Sequence, residues 1–248
     1  MRAVAPVISF ILALALWQGA VKLFHVPSYL VPGPLAIGQA FVADYAGLLR
    51  ALLSTLSVTA AALLVACLVG VAMACAMAAS VWARAALQPW AVILQVTPVV
   101  AVAPLIVVWV GNPFAAMVVC ATIVAFFPIF SNTSAGLAAT PPDLLDLFRL
   151  NGATRVQEVF WLRLPAALPY FMAGLRVAGG LALVGAVVAE FVTGAGGIAS
   201  GLAFRILEAG YRLDIPRMFA CLGLLSAAGL AINAGLGALS EAVLARRS

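Results

Sequence analysis

The sequence predicts an all-α integral membrane protein with six transmembrane helices, and three observations carry that expectation. Of its 248 residues, 66% are apolar and 8% are charged, against roughly 45 to 50% and about 25% in ordinary soluble domains. Mean hydropathy is +1.19. Charge-free apolar runs of span length recur along the chain, each able to cross about 30 Å of hydrocarbon as roughly 20 helical residues whose backbone satisfies itself.

The first expected span is 4–23. It follows Arg2 and contains Trp17, and it outruns the apolar region of a signal peptide, so it reads as a retained anchor. The second, 54–79, carries Ala72, Ala74, Ala76, Ala78 and Ala79, small residues that let helix backbones approach closely. No charge occurs between Ala85 and Pro142, a run long enough for two spans, 89–110 and 114–136, parted by the turn residues Gly111-Asn112-Pro113. Spans 170–192 and 218–239 complete the six. Gly194-Ala195-Gly196-Gly197 reads as a flexible turn. Gly201 to Tyr211 reads as a short surface helix with Arg205, Glu208, Arg212 and Asp214 on its solvated side.

Orientation follows from the basic residues of the short loops. With the N-terminus inside, Arg2, Arg84, Arg149, Arg155, Arg163, Arg246 and Arg247 lie in the cytoplasm, against Lys22, Arg50, Arg205, Arg212 and Arg217 outside. Seven against five places both termini in the cytoplasm. The net charge of +5 is scattered without a basic cluster, which sets nucleic acid aside as a partner.

The segment 140–165 between the fourth and fifth spans is the most informative. Thr140-Pro141-Pro142-Asp143 offers a hydroxyl cap, a proline at the first helical position and an acid three residues after the cap, and Asn151-Gly152 can end the helix so begun. Thr154-Arg155-Val156-Gln157 is a second capping box, starting a helix towards Leu164-Pro165. Leu144, Leu147, Phe148, Phe160 and Trp161 give this polar interval more apolar surface than a solvated loop needs, as an element that docks on a partner or packs against the cytoplasmic ends of its own spans would have.

Most catalytic chemistry is excluded. His25 and Lys22 are the one histidine and the one lysine, and neither a Walker A loop, an H-E-x-x-H site nor a G-x-S-x-G elbow is present. Cys67, Cys75, Cys120 and Cys221 lie in apolar runs without metal-ligand spacing and read as small buried hydrophobes. No catalytic residue, metal site or cofactor of the chain's own is expected.

Within the loop, Asp146-Leu147-Phe148, three residues, Gly152, nine residues and Leu162-Arg163-Leu164-Pro165 resemble the EAA signature of binding-protein-dependent ABC transporter permeases. That signature runs E-A-A, three residues, G, nine residues, I-x-L-P. The departures are Asp for Glu, Leu-Phe for the two alanines and Leu for Ile. Pro32-Gly33-Pro34, then Pro98, Ala101, Pro104-Leu105, Trp109 and Gly111, then Phe126-Phe127-Pro128-Ile129 with Asn132-Thr133, and finally Gly174-Leu175-Arg176 and Ala189-Glu190, are similar to the branch that takes up nitrate, taurine, aliphatic sulfonates and pyrimidine precursors of thiamine. The resemblance covers nearly the whole chain.

The resemblance implies a type I ABC importer permease of the MetI-like fold in a bacterial inner membrane. Its implied partners are two ATP-binding subunits, which would hold ATP and Mg, a second copy of the permease forming a homodimer, and a periplasmic or lipid-anchored solute-binding protein delivering a small polar or anionic solute. It also implies that Asp146, Leu147, Phe148, Gly152, Ala153, Leu162, Leu164 and Pro165 couple the chain to the ATPase.

For the pathway or gate, the candidates are Pro98, Pro104, Asn132, Arg176 and Glu190. The prolines kink helices. Asn132 suits a hydrogen bond to a neighbouring helix, and an intramembrane acid such as Glu190 is expensive enough to be a functional candidate, either holding a gate or lining the path, or sitting at the headgroup level to cap the loop glycines. Arg176 precedes Glu190 by 14 residues on one helix, about 21 Å, so the two need different partners. The rival reading, an ATP-independent secondary carrier or channel, calls for ion-coupling acids or repeated halves. The sequence offers one such acid and no repeat.

Overall fold

A computed structural model describes residues 4–194 and 200–245. The described residues form α1 (Val4–Leu23), α2 (Pro34–Ala43), α3 (Tyr45–Ala79), α4 (Val81–Val96), α5 (Val99–Val110), α6 (Pro113–Ala138), α7 (Pro142–Leu150) and α8 (Arg155–Gln157). A π-helical turn (Glu158–Arg163), α9 (Leu164–Ala166), α10 (Leu168–Thr193), α11 (Leu202–Tyr211) and α12 (Ile215–Ala245) follow. Arg2, Arg246, Arg247 and Ala195 to Gly197 lie outside the described residues.

Of the six expected spans, four or five are present among the described residues as helices with a span's length and composition. Helices α3, α6, α10 and α12 are long and apolar enough to cross a membrane, and α4 with α5 makes a fifth if the bent pair is one span. Helix α1 is a further apolar helix of 20 residues over the expected first span. The expected span 89–110 is broken more sharply than a proline kink: α4 and α5 meet at 107°. Proline carries no N–H and disfavours helical geometry in the residue before it. Accordingly Thr97 is extended at φ −70°, ψ 120°, and its hydroxyl turns back to donate to the Ile93 carbonyl at 2.6 Å. Pro98 thus breaks the helix rather than kinking it.

The break expected at Gly111-Asn112-Pro113 is present. Gly111 closes α5 in the left-handed region at φ +68°, the Asn112 side chain accepts from the Ala115 amide at 3.0 Å, and Pro113 opens α6. Thr140, expected to cap α7, does something else. It is buried and its hydroxyl donates to the Leu137 carbonyl at 3.4 Å, satisfying an acceptor at the end of α6, so Pro141 takes the cap position.

Two compact units are present, and each builds its own core. Thr55–Thr193 with Gly229–Ser248 is centred on α6 and α10. A Cβ on Gly136 would lie 2.8 Å from that of Ala167, one on Gly174 would lie 2.7 Å from the Pro128 carbonyl oxygen, and one on Gly185 would lie 2.8 Å from the Ala121 Cα. As position rises along α10 it falls along α6, so the two helices are antiparallel, and their backbones touch because no side chain intervenes. The Thr122 hydroxyl donates to the Ala62 carbonyl of α3 at 3.4 Å, and Gly70 packs on Ile129, which sets α3 parallel to α6. On the far side of α10, Gly179 meets Leu236 and Ile232 of α12.

Overpacking a tight interior costs about 1–3 kcal/mol. Gly185→Val is therefore expected to lower the thermal unfolding midpoint of the purified chain by several degrees. Gly180→Ala, where a Cβ meets nothing within 4 Å, should leave it unchanged.

The other unit, Met1–Ser54 with Gly194–Ala228, packs Leu48, Ala51, Leu202, Ala220 and Cys221 together. Arg217 pairs with Asp44, Trp17 meets Phe219 at 6.3 Å between ring centroids, and Gln18 accepts from the Leu35 amide at 3.1 Å. The expected short helix is α11, but its charges are mutually paired: Glu208 holds Arg205 at 3.0 Å and Arg212 at 2.8 Å.

Candidate functional site

The loop 140–165 is two short helical arms with a fixed elbow. Helix α7 has Asp143 in its first turn and Arg149 in its last, the arrangement its dipole favours. At its end Gly152 adopts φ +74°. The Gly152 amide donates to the Arg149 carbonyl at 2.9 Å and the Ala153 amide to the Phe148 carbonyl at 3.0 Å, which is the Schellman closure. The next arm starts at once. Thr154 Oγ1 accepts from the Gln157 amide at 3.3 Å, and Gln157 Oε1 accepts from the Thr154 amide at 2.7 Å, completing the expected capping box.

A side chain at Gly152 would meet open space, so only the backbone resists substitution, by about 1–2 kcal/mol for a left-handed residue. Gly152→Ala is expected to lower the midpoint measured by thermal unfolding slightly. Gly152→Asn should lower it less, since asparagine tolerates that region.

The arms present an apolar surface. Leu150 is 86% and Trp161 76% exposed, and Leu144, Leu147, Val156 and Phe160 are also exposed. Between the arms lies a cavity of about 530 Å³ lined by Leu147, Phe148, Asn151, Gly152, Ala153, Gln157 and Trp161. Leu162 and Pro165 are half-buried, and Leu164 packs with Val159, Phe130 and Leu137 in the core beneath. Asp146 is exposed and pairs with Arg149 at 3.3 Å.

What fastens the loop is Glu158, which sequence reasoning passed over. Its side chain is buried, the residue being 3% exposed. One carboxylate oxygen accepts from Arg149 Nε of α7 at 3.1 Å and the other from Arg163 Nη2 at 3.1 Å. Burial pushes the carboxyl up, but hydrogen bonds and charge from Arg149 and Arg163 outweigh it and hold Glu158 below its usual range. One signal was available. Glu158 is the lone glutamate of a segment that also carries Arg149, Arg155 and Arg163.

The five pathway candidates are dispersed. Pro98 forms the α4–α5 break, and Pro104 and Pro128 lie inside α5 and α6. The Asn132 amide donates to the Pro128 carbonyl at 2.9 Å, on its own helix rather than the neighbouring one expected. Arg176 Nε donates to Asn233 Oδ1 of α12 at 3.0 Å. Glu190 is buried at 3% exposure, and its carbonyl accepts from the Thr193 hydroxyl at 3.3 Å. A polar hollow of this unit, about 460 Å³, is lined by Arg84, Gln88, Gln95, Ser134 and Arg163 among apolar residues, and by none of the five.

With helices, loop and spacing in place, comparison with known proteins decides the family. The model of the binding-protein-dependent transport system inner membrane component matches residues 66–245. The chain belongs to that family. The permease is 33% identical over 231 residues to a probable ABC transporter permease protein of Haemophilus influenzae, covering 93% of each chain. It is 34% identical over 241 residues to the riboflavin transport system permease protein RibX of Chloroflexus aurantiacus, covering 96% of this chain and 88% of that one. It is 30% identical over 244 residues to the formylaminopyrimidine transport permease protein ThiX of Halalkalibacterium halodurans, covering 98% and 96%. Permeases for aliphatic sulfonates, nitrate and taurine are also related, as the resemblance had implied. The permease is thus a transport component, the membrane-spanning part of an ABC importer.

Proposed function

We propose that the permease carries a small polar or anionic solute through the bacterial inner membrane as a homodimer on two ATP-binding subunits, with both termini in the cytoplasm and a periplasmic or lipid-anchored binding protein delivering the solute. ATP and Mg belong to the ATP-binding subunits. Segment 140–165 is the coupling loop. The observation that carries this reading is the loop itself, two capped arms locked through Glu158, with Leu147, Leu150 and Trp161 turned outward. A stiff lever of that kind can pass the closure of an ATPase pair to α6 and α10, which it joins.

The support for a second permease copy is Arg176. It stands about 12 Å along α10, exposed with its partner Asn233 on a span surface. A guanidinium at that depth needs protein or water against it, because lipid is costly for it. Of the five dispersed candidates, Arg176 is therefore assigned to the face where two copies enclose the pathway. Pro98, Pro104, Asn132 and Glu190 are assigned to shaping the helices beside it.

The test is to tag the chain, extract it from its own host in mild detergent and assay vanadate-sensitive ATP hydrolysis in what co-purifies. Recovery of an ATP-binding subunit with two permease copies is expected. A chain that purifies alone, and supports ion-driven flux in vesicles without ATP, overturns the reading.

A further inference from the structure

We infer that the hollow between α4 and α6 is a binding site for an oxyanion at the coupling-loop end of the bundle. Arg84, Gln88, Ala91 and Gln95 of α4 line it, and their spacing of four, three and four puts them on one helix face. Ser134 faces them from α6 and Arg163 from the loop end, while Phe127, Phe130 and Ala78 supply apolar wall. The volume of about 460 Å³ falls in the roughly 300–1,000 Å³ range of small-ligand sites.

Two features show that the polar lining has unmet capacity. Arg163 Nε and Ser134 Oγ are buried without a hydrogen-bond partner, and buried donors of this kind cost stability unless something accepts from them. Arg84 makes no ion pair among the described residues. The charge balance agrees. An adjoining hollow of about 240 Å³ shares Arg84 and Arg163 and adds Arg149, Arg155 and Glu158. Glu158, the one carboxylate of the two linings, is already engaged by Arg149 and Arg163, which leaves Arg84 and Arg155 in excess.

Planar guanidinium donors with a hydroxyl and carboxamides beside them match the oxygens of a phosphate, sulfonate or carboxylate. That chemistry has two sources here, the headgroup of an anionic lipid or a water-soluble oxyanion. Trp82, 87% exposed, and the exposed Trp90 sit on α4, as tryptophans do at a membrane–water boundary, so a headgroup can reach the site from the bilayer. The site shares Arg163 with the proposed coupling loop but none of its outward apolar side chains, and its test needs no ATP-binding subunit.

The full chain, purified in detergent, is heated across a titration of inorganic phosphate against chloride at matched ionic strength. In parallel it is exposed to phosphatidylglycerol and weighed by native mass spectrometry. Wild type is expected to gain a saturable rise of several degrees from phosphate, to retain one phosphatidylglycerol per chain, or both. The first result names a soluble oxyanion and the second a headgroup. Arg84→Gln should abolish either response and Ser134→Ala should weaken it several-fold, with unliganded midpoints unchanged. Absence of both responses in wild type, or equal responses in wild type and Arg84→Gln, overturns the inference.

Discussion

Glu158→Ala is expected to unfasten the coupling loop and to cost uptake far more than it costs ATP hydrolysis. The carboxylate is buried and bridges Arg149 of α7 to Arg163 of the π-helical turn. Removing one member of a buried ion pair costs about 3–5 kcal/mol, and the half-exposed Arg149 places this case towards the low end. The expected results are a thermal midpoint lowered by several degrees, faster hydrogen exchange confined to residues 142–163, and hydrolysis that persists while transport collapses. A merely destabilised core would instead show faster exchange in α6 and α10, and that pattern would count against the lever.

The pH dependence of the same residue has a definite sign. Because the folded Glu158 carboxyl lies below its usual value, its contribution is fully present above the unfolded glutamate value of about 4.3. It is lost as pH falls through the lower folded value, when the proton neutralises the bridge. Wild type should therefore lose loop protection in that acid window, and Glu158→Gln should show a lower, flatter profile across it.

The second large effect is expected at the surface the arms present. Trp161→Asp and Leu147→Asp replace exposed apolar side chains and should leave the isolated chain folded, since neither residue belongs to a buried cluster. Aromatic anchors at an interface commonly carry 2 kcal/mol or more, which corresponds to roughly 30-fold in affinity. Either variant should release the ATP-binding subunit during purification, read as loss of co-purified ATP hydrolysis. Retention of the subunit by both would move the docking surface away from these arms.

Much of this is legible in the sequence. Composition demands a bilayer, because a chain so poor in charge cannot solvate itself. The loop's elbow and second cap are local events, decided by Gly152 and by the Thr154–Gln157 pair within a single turn, so sequence suffices for them. The EAA spacing pointed to the family that the comparisons show. Pro98 was flagged as a kink, yet whether a proline bends a helix or ends it depends on what its neighbours can pair with. The 107° break was therefore out of reach. Thr140 shows the same limit, since its hydroxyl had two helix ends to serve and chose the earlier one.

The sequence by itself thus determined the solvent, the helical class, the absence of familiar catalytic machinery and the capped loop, all properties of composition or of residues within four positions of one another. Only the tertiary structure decided that Glu158 is a buried bridge, that Arg176 answers to Asn233, and that Arg84 and Arg163 border one hollow. These facts join residues on different helices or on separate turns of the loop. Such pairings depend on helix rotation and register, which are fixed by close contacts such as Gly174 on Pro128 rather than by any pattern a linear reading displays.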